Sequence, residues 1–299
     1  LPANQAVALH PKNEYVLVLV NDEILIIANE LHRTVLERYG FADYEVLSNC
    51  LGSKLEGLNL RHPFYARIVP IVMSEHVTFE TGTGAVHIAP GHGQDDYIVG
   101  QKYNLAVDNP VADNGCFISD TKIFSGEHVF KANASIISIL EDNNNLLLQE
   151  TIQHSYPHCW RFKTPLIFRA TPQWFVSMDQ SNLRENIDKN LNSVNWVPKW
   201  GYDRIKNMIK NRPDWCISRQ RFWGVPIPLF LHKETNQLHK DTSKILNKAA
   251  DIISEKNIEG WFDYDKKTLI DDHEKYFMIT DTLDVWFDSG VSHISVIQE

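Results

Sequence analysis

Apolar residues gather in short runs broken by turn residues, and only a few windows keep the three-to-four spacing of a helix. Residues 15–28, YVLVLVNDEILIIA, place two β-branched runs either side of Asn21 and Asp22 and predict a β-hairpin. The following NELHRTVLERY sets Leu31, Val35, Leu36 and Tyr39 on one helical face, with Asn29 as N-cap and Gly40 as the stop. Short strands are expected at 45–50, 67–73 and 77–80, punctuated by Gly52, Gly57 and Pro63. Residues 83–89 alternate small and apolar side chains like a buried strand, and YIVGQK beyond Pro90 reads as a helix. Short strands with helices at their edges predict a compact, β-rich, barrel-like domain.

The second half changes texture. After a turn at Asp113-Asn114-Gly115, ANASIISILEDNNNLLLQ predicts a helix that stops at its asparagines. SNLRENIDKNLN and GYDRIKNMIKN predict two more, the latter halted by Pro213. Residues 241–256 form an amphipathic pattern with Ile245, Leu246, Ala249, Ile252 and Ile253 inward. MITDTLDVWFDSG reads as a core strand and the loop at its C-terminal end.

With 299 residues the chain can hold two domains with real cores, and a hydrophobic fraction of 43% suits a globular protein. No run of about 18 apolar residues is present, so no membrane span is expected. The start, LPANQAVALHPKN, lacks the basic-then-apolar texture of a signal peptide. Four scattered cysteines (Cys50, Cys116, Cys159, Cys216) suit reduced thiols in the cytoplasm. A net charge of −9 argues against coating nucleic acid by bulk charge. Local patches remain, chiefly 199–223, where Lys199, Arg204, Lys206, Lys210, Arg212, Arg219 and Arg221 interleave with Trp200, Tyr202, Trp215, Phe222 and Trp223. Such a stretch can neutralise phosphates and stack on bases, or it can be a solvated helix beside a packed aromatic cluster.

The densest chemistry lies at 78–97, TFETGTGAVHIAPGHGQDDY. Gly82, Gly84, Gly91 and Gly93 surround His87, His92, Asp95 and Asp96. Glycine lets the backbone take positive φ and approach a ligand, and the two carboxylates fall at a predicted helix start, where negative charge is favoured. Glycine turns between strand and helix are also common architecture, so spacing alone leaves both readings open. The histidines are five apart across a proline, which does not match a zinc HExxH motif, and no Lys-Ser or Lys-Thr follows to make a phosphate loop.

GTGAVHIAPGHGQDDY closely resembles the signature of the editing insertion of isoleucyl-tRNA synthetases. HCWRFKTPLIFRATPQWFVSMD at 158–179, WCISRQRFWGVPIP at 215–228 and DTLDVWFDSG at 281–290 resemble the same family, in the family's order. The resemblance implies an α/β protein: a barrel-like editing domain inserted into a doubly wound, Rossmann-type catalytic core, only part of which lies here. It implies an editing domain at 1–157 and a return to the core with a small helical insertion at 158–230. A further insertion at 231–280 and a core strand with amino-acid-pocket loop at 281–299 complete the division.

The implied activity is ATP-dependent attachment of isoleucine to its tRNA, with a second site that hydrolyses mischarged valyl-tRNA. Isoleucyl-tRNA synthetase is itself the known case in which one methylene yields only about 150-fold discrimination, which packing alone cannot raise enough. By resemblance Asp96 binds the α-ammonium of the misattached residue and His87 lines the side-chain pocket as its size gate. Gly82, Thr83, Gly84, Gly91, His92, Gly93 and Asp95 complete the editing-site loops. Trp286, Asp288, Ser289 and Gly290 are assigned to the amino-acid pocket of the synthetic site, while a core aromatic is the plainer reading of Trp286. Lys199, Arg204, Arg219 and Arg221 are candidate tRNA contacts. Several family members carry a second cysteine where this chain has Phe162, so no metal is expected at Cys159.

Nothing resembles the HIGH or KMSKS signatures that hold ATP, and the chain starts at Leu1. It therefore reads as an internal piece, with a threonine-rich segment expected before Leu1. No cofactor is expected within the piece; ATP and Mg belong to the whole enzyme, expected to be a monomer. A valyl-type synthetase, a freestanding deacylase and a noncatalytic tRNA-binding module are the alternatives.

Overall fold

The two β-branched runs pair in register from Tyr15↔Ala28 to Val20↔Glu23, forming β2 (Glu14–Val20) and β3 (Glu23–Ala28) after a first strand, β1 (Ala6–Leu9). Asn21 and Asp22 both take positive φ, 48° and 66°, as a two-residue hairpin turn of matching twist requires. The computed structural model describes residues 1–80 and 82–297. They form two compact units, Leu1–Thr171 and the chain from Pro172 onward.

In the first unit α1 (His32–Arg38) follows the hairpin and buries Val35 and Leu36 against it, stopping before Gly40 at φ 79°. Asn29 does not cap this helix. Its amide donates to Glu14 Oε2 at 3.1 Å, tying the hairpin base, and Leu31 takes the cap position without a side-chain bond. Strands β4 (Glu45–Leu51), β5 (Asn59–Arg61), β6 (Ile68–Met73) and β7 (Ala85–Ile88) come next. They build a three-stranded sheet, β3-β2-β4, and a four-stranded sheet, β5-β6-β1-β7. In the second sheet β1 and β6 run parallel and the other pairs antiparallel.

Among the described residues neither sheet closes, so the barrel-like expectation is not confirmed. Closure needs a continuous staggered ladder, and these strands are cut short by glycine turns and Pro90. Residues 77–80 form no strand either: Val77 is buried and Phe79 packs edge-on against His10 and Tyr15, plugging the core between the sheets. β7 is an edge strand, with only Ile88 of its residues buried, not the buried strand its alternation suggested.

Helix α2 (Gln94–Lys102) starts from Gly93, and α3 (Ala132–Asp142) ends at Asn143, with Asn144 turning at φ 54°. Val111, Phe117, Phe124 and Ala132 make a separate core beneath α3.

The second unit contains β8 (Phe175–Val176), α4 (Leu183–Leu191), α5 (Gly201–Lys210), β9 (Trp215–Cys216), β10 (Ser218–Arg219) and β11 (Phe230–His232). α6 (Thr242–Asp263), β12 (Tyr276–Met278), β13 (Thr282–Leu283) and α7 (Val285–Ile297) follow. Its strands pair only as two-stranded antiparallel ladders, β8·β9, β10·β13 and β11·β12, so no parallel doubly wound sheet is assembled among the described residues. Ile245, Ala249 and Ile252 of α6 are buried as expected, but Leu246 is 41% exposed because it falls beside that stripe. α6 also runs past the expected end, through a kink at Asn257, to bury Trp261. The residues read as a pocket loop lie on α7. Asp284 starts it, accepting from Trp286 N–H at 3.0 Å, and that cap favours helix over loop.

Candidate editing site

The glycine stretch is pinned from below. Tyr15, fully buried, donates its hydroxyl to Gly84 O at 2.7 Å and accepts from His10 N–H at 2.9 Å. Thr83 O accepts from Ala28 N–H at 2.9 Å, which fastens the turn to the hairpin. Gly84, at φ 76°, leaves no room for a side chain, since a Cβ would stand 2.4 Å from Ala28 Cβ. Gly91 is equally tight, with Asp108 O 2.3 Å from where its Cβ would be.

This frame delivers three polar side chains to one cavity of about 350 Å³: His87 from β7, His92 from the following turn and Asp96 from the first turn of α2. Asp96 Oδ2 accepts from Ala89 N–H at 2.8 Å, so the carboxylate reaches back across the turn to the strand end. Oδ1 makes no hydrogen bond among the described residues. His87 Nδ1 lies 3.2 Å from Asn4 Nδ2, which also donates to Ala6 O at 2.9 Å. The carbonyl fixes the nitrogen end of the Asn4 amide, so His87 Nδ1 accepts and Nε2 carries the proton. His87 is open to solvent on one side and crowded by protein on the other; that desolvation pushes its pKa down, against the opposing pull of Asp96. His92 Nδ1 donates to Phe168 O at 2.9 Å, and its Nε2 is buried without a partner among the described residues.

Asn133 adds an amide, and the rest of the cavity wall is apolar or aromatic, including Val111, Phe117, Phe130 and Phe168. Gly82, Thr83, Gly84, Gly91, Gly93 and Asp95 do not line it; Asp95 is exposed on α2. Sequence reasoning missed Asn4, a buried amide that orients His87, and the segment 156–168, which supplies the far wall. A buried polar residue has no local signature, and that wall comes from distant sequence.

In the second unit, a cavity of about 500 Å³ is lined by Arg219, Arg221, Trp223, Asp284 and Asp288, among others. Buried Asp284 binds Arg219 and accepts from Trp215 Nε1 at 3.4 Å, and its cap bond to Trp286 N–H is the first cause of its lowered pKa. Burial, then the neighbouring Asp284 charge, pushes Asp288 up. Of the residues expected in the synthetic pocket only Asp288 lines this cavity; Trp286 is 71% exposed, and Ser289 and Gly290 are exposed. Lys199 and Arg204 stand exposed at the start of α5, whereas Arg219 is bound by Asp284. Asp284 is the organising residue that the sequence reading left out.

Residues 19–299 match the sequence profile of tRNA synthetases class I (I, L, M and V). The chain belongs to this family. It is 54% identical over 303 residues to an isoleucine–tRNA ligase of Nitrosococcus oceani and 56% identical over 297 residues to that of Thioalkalivibrio sulfidiphilus. It is 53% identical over 299 residues to that of Legionella pneumophila. These alignments take in 99–100% of this chain but 32% of each relative, so the chain spans about a third of their length. A solved structure named GlLeuRS-CP1 overlaps 51% of this synthetase chain and 82% of its own at 18% identity; its TM-score of 0.41 is too low to carry weight. Among the described residues no helix is long and apolar enough to cross a membrane.

Proposed function

We propose that the chain is the proofreading region, with an adjoining part of the synthetic core, of an isoleucine–tRNA ligase that works in the cytoplasm. The observation that carries the reading is the convergence of Asp96, held by Ala89, and His87, held by Asn4, on one cavity. Asp96 offers Oδ1 to the α-ammonium of an aminoacyl ester while Oδ2 keeps the side chain aimed; such a charge-assisted bond is strong and directional. His87 fills the wall beside it and sets the size of side chain that enters, taking valine and refusing isoleucine. Water then adds to the ester carbonyl, the acyl–oxygen bond to the ribose breaks, and the proton lost by water passes to the ribose oxygen. The products are free valine and uncharged tRNA for isoleucine. ATP, a substrate of the ligation reaction, has no role in this hydrolysis.

The test is hydrolysis of valyl-tRNA for isoleucine by the full-length ligase and its Asp96→Ala variant. Loss of hydrolysis with an unchanged melting temperature supports the assignment. Equal rates would remove Asp96 from the site.

A further inference from the structure

Leu1, Pro2 and Ala3 form one wall of the cavity that holds His87 and Asp96, and the loop joining β5 to β6 grips the backbone of that wall. Arg67 Nη1 donates to Asn4 O at 2.7 Å, and Nη2 donates to Pro2 O at 3.3 Å. Buried His62 accepts at Nδ1 from the N–H groups of Phe64 and Tyr65, at 3.3 and 3.1 Å. Its proton therefore sits on Nε2, which donates to Leu1 O at 3.1 Å. The loop is braced internally. His62 N–H donates to Arg67 O at 2.9 Å, the Tyr65 ring stacks on His62 with centroids 5.0 Å apart, and the Arg67 guanidinium lies 5.3 Å over Tyr65.

Pro2 lines both this cavity and a second one of about 290 Å³, to which Arg67 also contributes. A wall shared by two cavities is not fixed by packing alone, because side chains facing open space forfeit dispersion contacts there. The three bonds to its carbonyls therefore decide where it stands. The effect reaches His87 through Asn4, whose carbonyl is held by Arg67 and whose side-chain amide meets His87 Nδ1 at 3.2 Å. Arginine suits the task because its planar fork spans two acceptors, whereas a lysine ammonium acts as a point charge. We propose that Arg67 and His62 are positioning residues for proofreading, which hold residues 1–4 where Asn4 keeps the His87 ring set against isoleucine. Neither side chain lines the cavity itself, so both act through the wall they hold. The inference rests on the deacylase reading and deepens it by naming what sets the size limit.

The readout is the ratio of kcat/KM for isoleucyl-tRNA to that for valyl-tRNA, both on the tRNA for isoleucine, hydrolysed by the full-length ligase and its variants. Arg67→Ala should raise this ratio about 10-fold, the lower end of what one methylene is worth in a pocket. Arg67→Lys keeps the charge without the fork; it should melt like the native protein and still raise the ratio at least about threefold. His62→Phe keeps the ring stack, loses the bond to Leu1 and should move the ratio the same way. On a His87→Ala background the ring is gone, and adding Arg67→Ala should change the ratio by less than about twofold, because the two residues act as one unit. A full second gain on that background would overturn the proposal by showing that Arg67 acts elsewhere. A native ratio in Arg67→Ala and Arg67→Lys, with Asp96→Ala inactive on valyl-tRNA, would overturn it too and leave the deacylase reading standing. Native hydrolysis of valyl-tRNA by Asp96→Ala would instead remove that reading, and this inference with it.

Discussion

His87 shows how far one side chain's chemistry is set by a neighbour that no motif contains. Asn4 fixes its tautomer, and crowding lowers its pKa from the usual 6.5, so the ring is neutral at physiological pH and serves as a wall more readily than as a charge. The unfolded chain then binds the proton more readily than the folded one. Stability from this group is full above about pH 6.5 and is lost as pH falls through the lower folded value. Buried His62 shifts the same way. We expect the His87 ring to titrate by NMR with a midpoint below 6.5, and His87→Gln to reduce the loss of urea stability between about pH 7 and pH 5. A midpoint at or above 6.5 would contradict the crowding. Asp96 was legible as a candidate from its motif, but its bond to Ala89 was not, because that bond depends on where β7 and α2 meet.

At the scale of elements, the distance from β7 to α2 decides where Asp96 points. Gly100 lies on α2 facing Pro90, and a Cβ there would come within 2.7 Å of the proline ring. Gly100→Ala must push the helix away or distort it, at about 1–3 kcal/mol as for other overpacked sites. Its Tm should fall, and kcat for valyl-tRNA hydrolysis should fall with it as Asp96 leaves Ala89. An unchanged kcat would mean that the strand–helix spacing does not matter to the site. The hairpin at 15–28 and the helix at α3 were readable because period and turn chemistry agree there. The helical state of the WFDSG stretch was not, since the buried Asp284 that caps α7 is held by Trp215 and Arg219 from far upstream.

In the whole molecule, residues 158–171 resemble the synthetase core in sequence yet pack with the first unit. Ala170 N–H donates to Gly91 O, Ala170 O accepts from Asn109 at 2.7 Å, and Arg169 Nε donates to Val111 O at 2.8 Å. Residues 1–171 should therefore melt cooperatively as an isolated piece, whereas 1–157 should melt lower because it loses these bonds and the Ile167 and Phe168 wall. Calorimetry of the two pieces checks this, and equal melting temperatures would show that the segment adds nothing.

The sequence by itself determined the hairpin and its turn, most of the helices, the family, and the short stretch carrying His87, His92 and Asp96. These depend on local period, on glycine and asparagine conformations, and on contiguous motifs. Only the tertiary structure decided that the sheets stay open, that Asn4 orients His87, and that residues 156–168 supply a wall of the cavity. Each of those depends on contacts between residues far apart in the chain, whose geometry follows from packing and leaves no local pattern to read.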